Sequence, residues 1–525
     1  MRSHYDVIIV GGGHNGLVAA AYLAKSGRSV VVLERDGHLG GAAISAQAFE
    51  GHDARLSRYS YLVSLLPRRI IDDLGLRIEL IRRRYSSYTP VPGSPERGLL
   101  VDAEDALATA RSFESIGDGG DASGFATLYS DTTRLAEKLW PTVTQPLMTR
   151  SEVKRLVDND ELWNAFIEQP LGGAIEHYLE GDVARGVALT DALIGTFTHA
   201  HDESLAQNKC FLYHVIGGQT GDWDVPRGGM GAVTGEMARA ARDAGAELVT
   251  NARVARIAPG SAAERASVSV VIDGAATTLD ADRVLSNVSP WVLGELLGEP
   301  LPMAERPAGA QIKVNLLLSR LPRLADESVT PEQAFGGTFH INETYTQLEA
   351  AYGEAASGKI PHTLPCEIYC HSLSDPTILG PELRESGAHT LTVFGLHAPH
   401  ALVTEVNNDE VRAELVAAVI RSLNSVLAEP IEDVVMMDAH GNPCIEGKTT
   451  LDLEHALNLT GGNIFHGPLS WPWLEDDADL SSAAARWGVA TAHTRVLLCG
   501  SGAVRGGAVS GLGGHNAAMA VMEEG

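Results

Sequence analysis

The chemistry in this 525-residue chain begins at its N-terminus, where Gly11-Gly12-Gly13-His14-Asn15-Gly16 follows an apolar run, Asp6 to Val10, and opens an alanine-rich stretch, Leu17 to Ser26. The spacing is G-x-G-x-x-G. In a loop that holds a dinucleotide, Gly11 permits the tight turn, Gly13 lets the backbone approach a pyrophosphate, and Gly16 lets helix and strand pack closely. His14 and Asn15 then lie at the helix N-terminus, where amide groups and the macrodipole favour phosphate. Glu34 ends the next β-branched run, eighteen residues after Gly16. That is close to the ~20-residue spacing at which an acid takes hydrogen bonds from a ribose diol, and its carboxylate disfavours the extra phosphate of NADP. In Glu34-Arg35-Asp36-Gly37-His38-Leu39-Gly40-Gly41-Ala42 a second glycine pair follows the acid at once and opens the backbone to a further part of a long cofactor. At the far end a second glycine-rich stretch, Gly500 to Gly511, sits between a buried-strand pattern, Arg495 to Cys499, and a helix pattern, Leu512 to Met522.

The elements that must position these loops can be read from periodicity. Asp6–Val10, the helix after Gly16 and Ser29–Leu33 form a strand, helix, strand unit whose crossover requires parallel strands. Residues 80–222 read as mainly helical, with amphipathic stretches at 122–139 and 150–167. A helix is expected over 232–244, then strands over 247–257, 267–272 and 283–286 that return to the first sheet. Runs at 311–318, 338–341, 366–371 and 389–397 suggest a second sheet, with a helix over 409–427.

The first 45 residues resemble the N-terminus of the phytoene desaturase-like flavoproteins, relatives of the amine oxidases. Tyr59 to Leu66, Pro226 to Met230, Gly461 to Gly467, and Leu497 to Gly502 with Gly506-Gly507 are similar to segments of the same group. The resemblance implies FAD as cofactor and an α/β fold: a discontinuous Rossmann-type FAD-binding domain (1–80, 223–300 and 480–525) with an inserted mixed-sheet plus helical substrate domain (81–222 and 301–479). It implies that Gly500, Gly506, Gly507, Val509, Ser510 and Gly511 lie against the flavin ring and ribityl chain, and that the backbone of Val254 meets the adenine. Many desaturases carry a basic residue directly after the second glycine pair, where Ala42 and Ala43 stand here, which leaves Arg35 as the substitute. On the substrate side the resemblance points to Tyr59, Trp223, Met230 and His397 as cavity residues, with Arg58, His400, Trp471 and Trp473 in similar segments. His466 is the first choice for an acid or base, because imidazole titrates near neutral pH.

The implied activity is removal of hydride from a largely apolar carbon substrate to flavin N5, with oxygen, quinone or another carrier as acceptor. Amine or amino-acid oxidation and double-bond isomerisation are the enzymatic alternatives, and an escort protein of the GDP-dissociation-inhibitor type is the non-enzymatic one. No Cys-x4-Cys pair follows the first helix, which disfavours a disulfide reductase.

Composition removes other classes. Lys and Arg total 40 against 67 Asp and Glu, a formal charge of −27 that repels nucleic-acid phosphates and anionic headgroups. The cysteines Cys210, Cys366, Cys370, Cys444 and Cys499 form no CxxC pair, so neither a disulfide framework nor a metal site is expected. Cys366 and Cys370 fall on one face of a strand-like run and read as buried free thiols. No window approaches the ~18 apolar residues of a membrane span, and the N-terminus lacks the pattern of a secretory signal. A cytoplasmic setting is the expectation, with peripheral membrane contact left open because lipid-acting relatives use it.

Overall fold

The computed structural model describes residues 1–261 and 263–524. Strand β1 (His4–Val10), helix α1 (His14–Lys25) and strand β2 (Val30–Leu33) form the expected unit, and the strands pair in parallel from Val7 opposite Val30 to Val10 opposite Leu33. Both strands are almost wholly buried. That is why they read as continuous β-branched runs: a parallel sheet covered on both faces has no polar side to show.

The first sheet runs in the order Ala252–Ala258, Ala266–Ile272, Ala275–Ser286, β1, β2, Glu247–Val249. Val496–Leu498 joins it in parallel beside the end of Ala275–Ser286, with Val284 opposite Val496. N-terminal, middle and C-terminal strands therefore share one sheet. Helices Met230–Asp243 and Leu512–Glu523 both pack on α1. The second crossing is close: a Cβ on Gly514 would lie 1.9 Å from the carbonyl oxygen of Asn15, so only glycine fits.

The expected strand over 247–257 is two strands. Asn251 takes a left-handed conformation (φ +53°) and breaks the run, sending one part to β2 and the other to Ala266–Ile272.

The second sheet has the order Ile445–Lys448, Ile312–Leu318, His389–Gly395, Cys366–Tyr369, Thr338–Ile341, Tyr85–Val91, Ser94–Asp102. The last two strands narrow the reading of 80–222 as mainly helical to the part after Asp102. Ser87 and Thr89 are buried polar residues, so this hairpin carries no apolar alternation, and its pairing with Thr338–Ile341 is a tertiary effect. The helices at Asp121–Leu139 and Arg150–Val157 stand as expected, the latter followed by a short helix at Asp160–Trp163 and a π-helical turn at Asn164–Glu168. All five cysteines are free and buried. Among the described residues no helix is long and apolar enough to cross a membrane.

Candidate functional site

The N-terminal loop has the geometry its glycines require. Gly11 sits at φ +101°, where a side chain is disfavoured, and makes the turn. A Cβ on Gly16 would lie 2.4 Å from Gly11 O, which is the close helix–strand approach. Gly13 and Gly41 face each other, with a Cβ on Gly41 only 3.2 Å from the Gly13 Cα, and Gly40 N–H donates to Gly12 O at 2.9 Å. The two glycine stretches thus form one smooth wall of backbone. Glu34 is fixed behind it: Gly12 N–H donates to Oε2 at 2.7 Å and Asp36 N–H to Oε1 at 2.9 Å.

These groups border one cavity of about 630 Å³ that runs from Gly11, Gly13, His14, Glu34 and Gly41 into the interior. Ala42, Val254, Val509, Tyr59, Trp223 and His466 also border it. Arg35 does as well, but its Nη2 donates to Ala456 O at 2.7 Å and its Nε lies 3.4 Å from Asp36 Oδ1. Burial holds the His14 and His466 imidazoles down at about 4, so both are neutral at physiological pH, and His14 Nε2 and His466 Nδ1 have no hydrogen-bond partner among the described residues.

Other expected residues lie off the cavity. Asn15 donates Nδ2 to Gly506 O at 3.2 Å. Near Gly500, Gly506, Gly507 and Gly511 a Cβ would meet Asn287 O (3.0 Å), Gly500 O (2.4 Å), the Tyr213 ring (2.7 Å) and Val18 (3.0 Å), so these glycines serve packing within the protein. Ser510 Oγ accepts from Leu512 N–H, the first residue of the last helix, at 3.1 Å. From this loop the wall takes Ser501 and Ala508 besides Val509, two residues the sequence did not single out. Met230 is buried at the start of its helix, held by Ser57 Oγ at 3.1 Å. His397 packs on Phe197 and Tyr352, with ring centres 6.1 and 5.8 Å away, and burial lowers it to about 3. Arg58 pairs with Glu446, His400 contacts Thr450, and Trp471 stacks on Trp473.

The interior lobe holds charged residues missed in the sequence. Lys313 and Glu367 are each a lone charge inside an apolar strand, the signal that could have found them. Antiparallel register sets Glu367 directly opposite His340. His340 Nδ1 lies 2.5 Å from Glu343 Oε2. Thr190 Oγ1 lies 3.0 Å from that same oxygen and 3.3 Å from Glu367 Oε1. A hydroxyl has one hydrogen, so a second full hydrogen bond here comes from a proton on one of the carboxyls. Burial supplies the reason: it pushes Glu367 up to about 8 and Glu343 well above its usual range, and lowers His340. Asp191, at the end of a helix, is raised to about 6 in the same way. Lys313, driven well down by burial, donates to Ser57 O and Tyr59 O at 3.2 and 2.7 Å and sits 4.4 Å from the Tyr61 ring centre.

A glycine loop with its acid on two parallel strands, opening into an interior cavity large enough for a substrate, defines an oxidoreductase built on a dinucleotide cofactor. The chain belongs to the flavin containing amine oxidoreductase family, whose pattern matches residues 16–450. It is an FAD-dependent oxidoreductase of the amine oxidase superfamily, and FAD is its cofactor. An uncharacterized protein of Mycobacterium tuberculosis is 53% identical over 99% of this chain and 97% of its own length. The phytoene dehydrogenase of Streptomyces griseus is 26% identical over 64% of each chain, in line with the desaturase-like resemblance. A solved structure of a putrescine oxidase variant shares the fold at a TM-score of 0.58 and 17% identity, over 99% of both chains.

Proposed function

We propose that the protein is a dehydrogenase or oxidase that withdraws hydride from a C–H bond of a small substrate held in the interior lobe. The observation that carries this reading is the single cavity, bordered at one end by the glycine wall and Glu34 and at the other by Tyr59, Trp223, Lys313 and Glu367. Residues 1–80, 223–300 and 480–525 would hold the cofactor, and 81–222 and 301–479 the substrate. Supporting this division, strands from all three segments of the first set share the first sheet, and the second sheet is built from the second set.

Gly11, Gly13 and Gly41 would take the pyrophosphate against the backbone, Glu34 the ribose, and Ser501, Ala508 and Val509 the distal part of the cofactor. Bound FAD supplies a two-electron hydride acceptor. Tyr61, Phe394 and Phe465 on the wall would exclude water and orient the carbon that gives up hydride. His466, neutral, is placed to receive a proton but not to carry a charge in the resting site. The lining, with Arg83, Asp191, Lys313 and Glu367, favours a substrate that carries a polar group over the largely apolar one expected from sequence. Oxygen or a quinone would remove the electrons.

The test is a visible spectrum of the purified protein, followed by anaerobic screening of amines, hydroxy acids and polyenes for bleaching of the flavin band. Bleaching by one class, with recovery in air or with quinone, supports the reading. Stoichiometric FAD that no C–H donor bleaches, while a polyene is isomerised without net oxidation, refutes it.

A further inference from the structure

The carboxyls of the interior lobe lack cationic partners. Asp191, Glu343 and Glu367 gather around His340, and none of the three forms an ion pair with Lys or Arg among the described residues. Arg83 gives Nε to Trp223 O and Nη1 to Thr338 Oγ1, and Lys313 gives its amine to two backbone carbonyls. Glu343 is fully buried, and its Oε1 has no hydrogen-bond partner among the described residues. The Asp191 carboxylate accepts no hydrogen bond from any described residue and faces the cavity. A buried carboxyl oxygen without a partner is destabilising, so such groups are kept where something else satisfies them.

His340, Glu343 and Glu367 each bring one ligand atom within 4.8 Å of the others. The three come from the strand Thr338–Ile341, the turn after it and the strand Cys366–Tyr369, so two rigid elements in fixed register hold them. We propose that His340, Glu343 and Glu367 form a binding site for a divalent transition-metal ion. One imidazole nitrogen with two carboxylates suits Mn²⁺, Fe²⁺ or Zn²⁺ and disfavours Mg²⁺, which prefers oxygen ligands and keeps its water. The ion displaces the hydrogen bond between His340 and Glu343, whose atoms must open from 2.5 Å to about 3 Å to share a metal at ~2.0–2.2 Å. That is a side-chain rotation. Glu343 Oε1 gains its missing partner, and two positive charges offset the carboxylates. His340, Glu367 and Asp191 border the cavity, so an open coordination position faces it, ready for water or an oxygen atom of the substrate.

The site stands apart from the flavin reading, and its test reads metal directly. The full-length protein is stripped with chelator and FAD content is recorded. Mn²⁺, Zn²⁺ and, under anaerobic conditions, Fe²⁺ are each titrated by calorimetry, with Mg²⁺ and n-butylammonium as comparisons. One transition-metal ion per chain is expected, with a raised melting temperature. Glu343→Gln and His340→Ala should each weaken binding by more than about 100-fold, since loss of an outer-sphere partner alone costs ~10–100-fold. Glu367→Gln, on a different strand, gives a second reading should either variant fold poorly, and it should weaken binding as well. Binding that survives all three variants, absence of binding by all three metals, or stabilisation by n-butylammonium in their place overturns the proposal.

Discussion

Replacing two glycines of the first loop by alanine separates what the loop does for the fold from what it does for the cofactor. In Gly16→Ala the new Cβ would lie 2.4 Å from Gly11 O and 2.9 Å from Asn287 Nδ2. A carbon–oxygen contact needs about 3.3 Å, so the backbone of β1 and α1 must part by nearly 1 Å. Overpacking of this kind costs ~1–3 kcal/mol, and the upper part of that range applies because a carbonyl cannot swing away. Alanine returns ~1 kcal/mol of helix propensity, leaving a net loss of about 2 kcal/mol. Gly13 sits at φ −71°, a conformation alanine adopts freely, and its Cβ would meet only the end of the Asn287 side chain, at 3.1 Å. Stability should change by less than ~1 kcal/mol, but the methyl group stands on the wall where the pyrophosphate would lie. Loss of one charged hydrogen bond, about 1.5–3 kcal/mol, weakens FAD roughly 10–100-fold. Urea unfolding of the apoprotein and FAD titration by fluorescence quenching measure the two effects. If Gly13→Ala binds FAD like the wild type, the loop is not the cradle. If Gly16→Ala unfolds at the wild-type urea midpoint, the packing argument is wrong.

Glu34→Gln keeps the shape of the acid but loses the charge that Gly12 and Asp36 amides and the ribose would share, and FAD affinity should fall about tenfold in the same titration. Gly514→Ala places a Cβ 1.9 Å from Asn15 O and should destabilise the apoprotein by ~2–3 kcal/mol, read as a lower urea midpoint with unchanged slope. Glu367, raised from 4.5 to about 8, holds its proton more tightly when folded. The folded state then binds more protons than the unfolded one across that window, so its contribution to stability is present below pH 4.5 and is lost as pH rises to about 8. Glu367→Gln should flatten this decline and leave the chelator-treated variant more stable than the wild type at pH 8, by on the order of a few kcal/mol. A wild-type decline that the variant reproduces in full would assign it to other groups.

What could be read from the sequence is what depends on near neighbours. The loop from Gly11 to Gly16, the parallel pair around it and Glu34 lie within a short stretch, and the glycine spacing encodes the turn and the contact directly. At the other end the same residue type says less. A glycine reports that a Cβ is excluded but not what excludes it, and at Gly506 the excluding group is Gly500 O, a contact within the protein. The interior cluster fails for a different reason. Lys313 and Glu367 announce themselves as lone charges in apolar strands, yet nothing local says that Glu367 will stand opposite His340. That pairing is a matter of register between strands 25 residues apart, in which Phe339 stands opposite Ile368, and a slip of one residue would leave His340 and Glu367 on opposite faces of the sheet. Asp191 reaches the same lobe from the end of a helix more than 140 residues earlier in the chain. The chemistry of the interior lobe is therefore a product of topology, whereas that of the cofactor loop is a product of spacing.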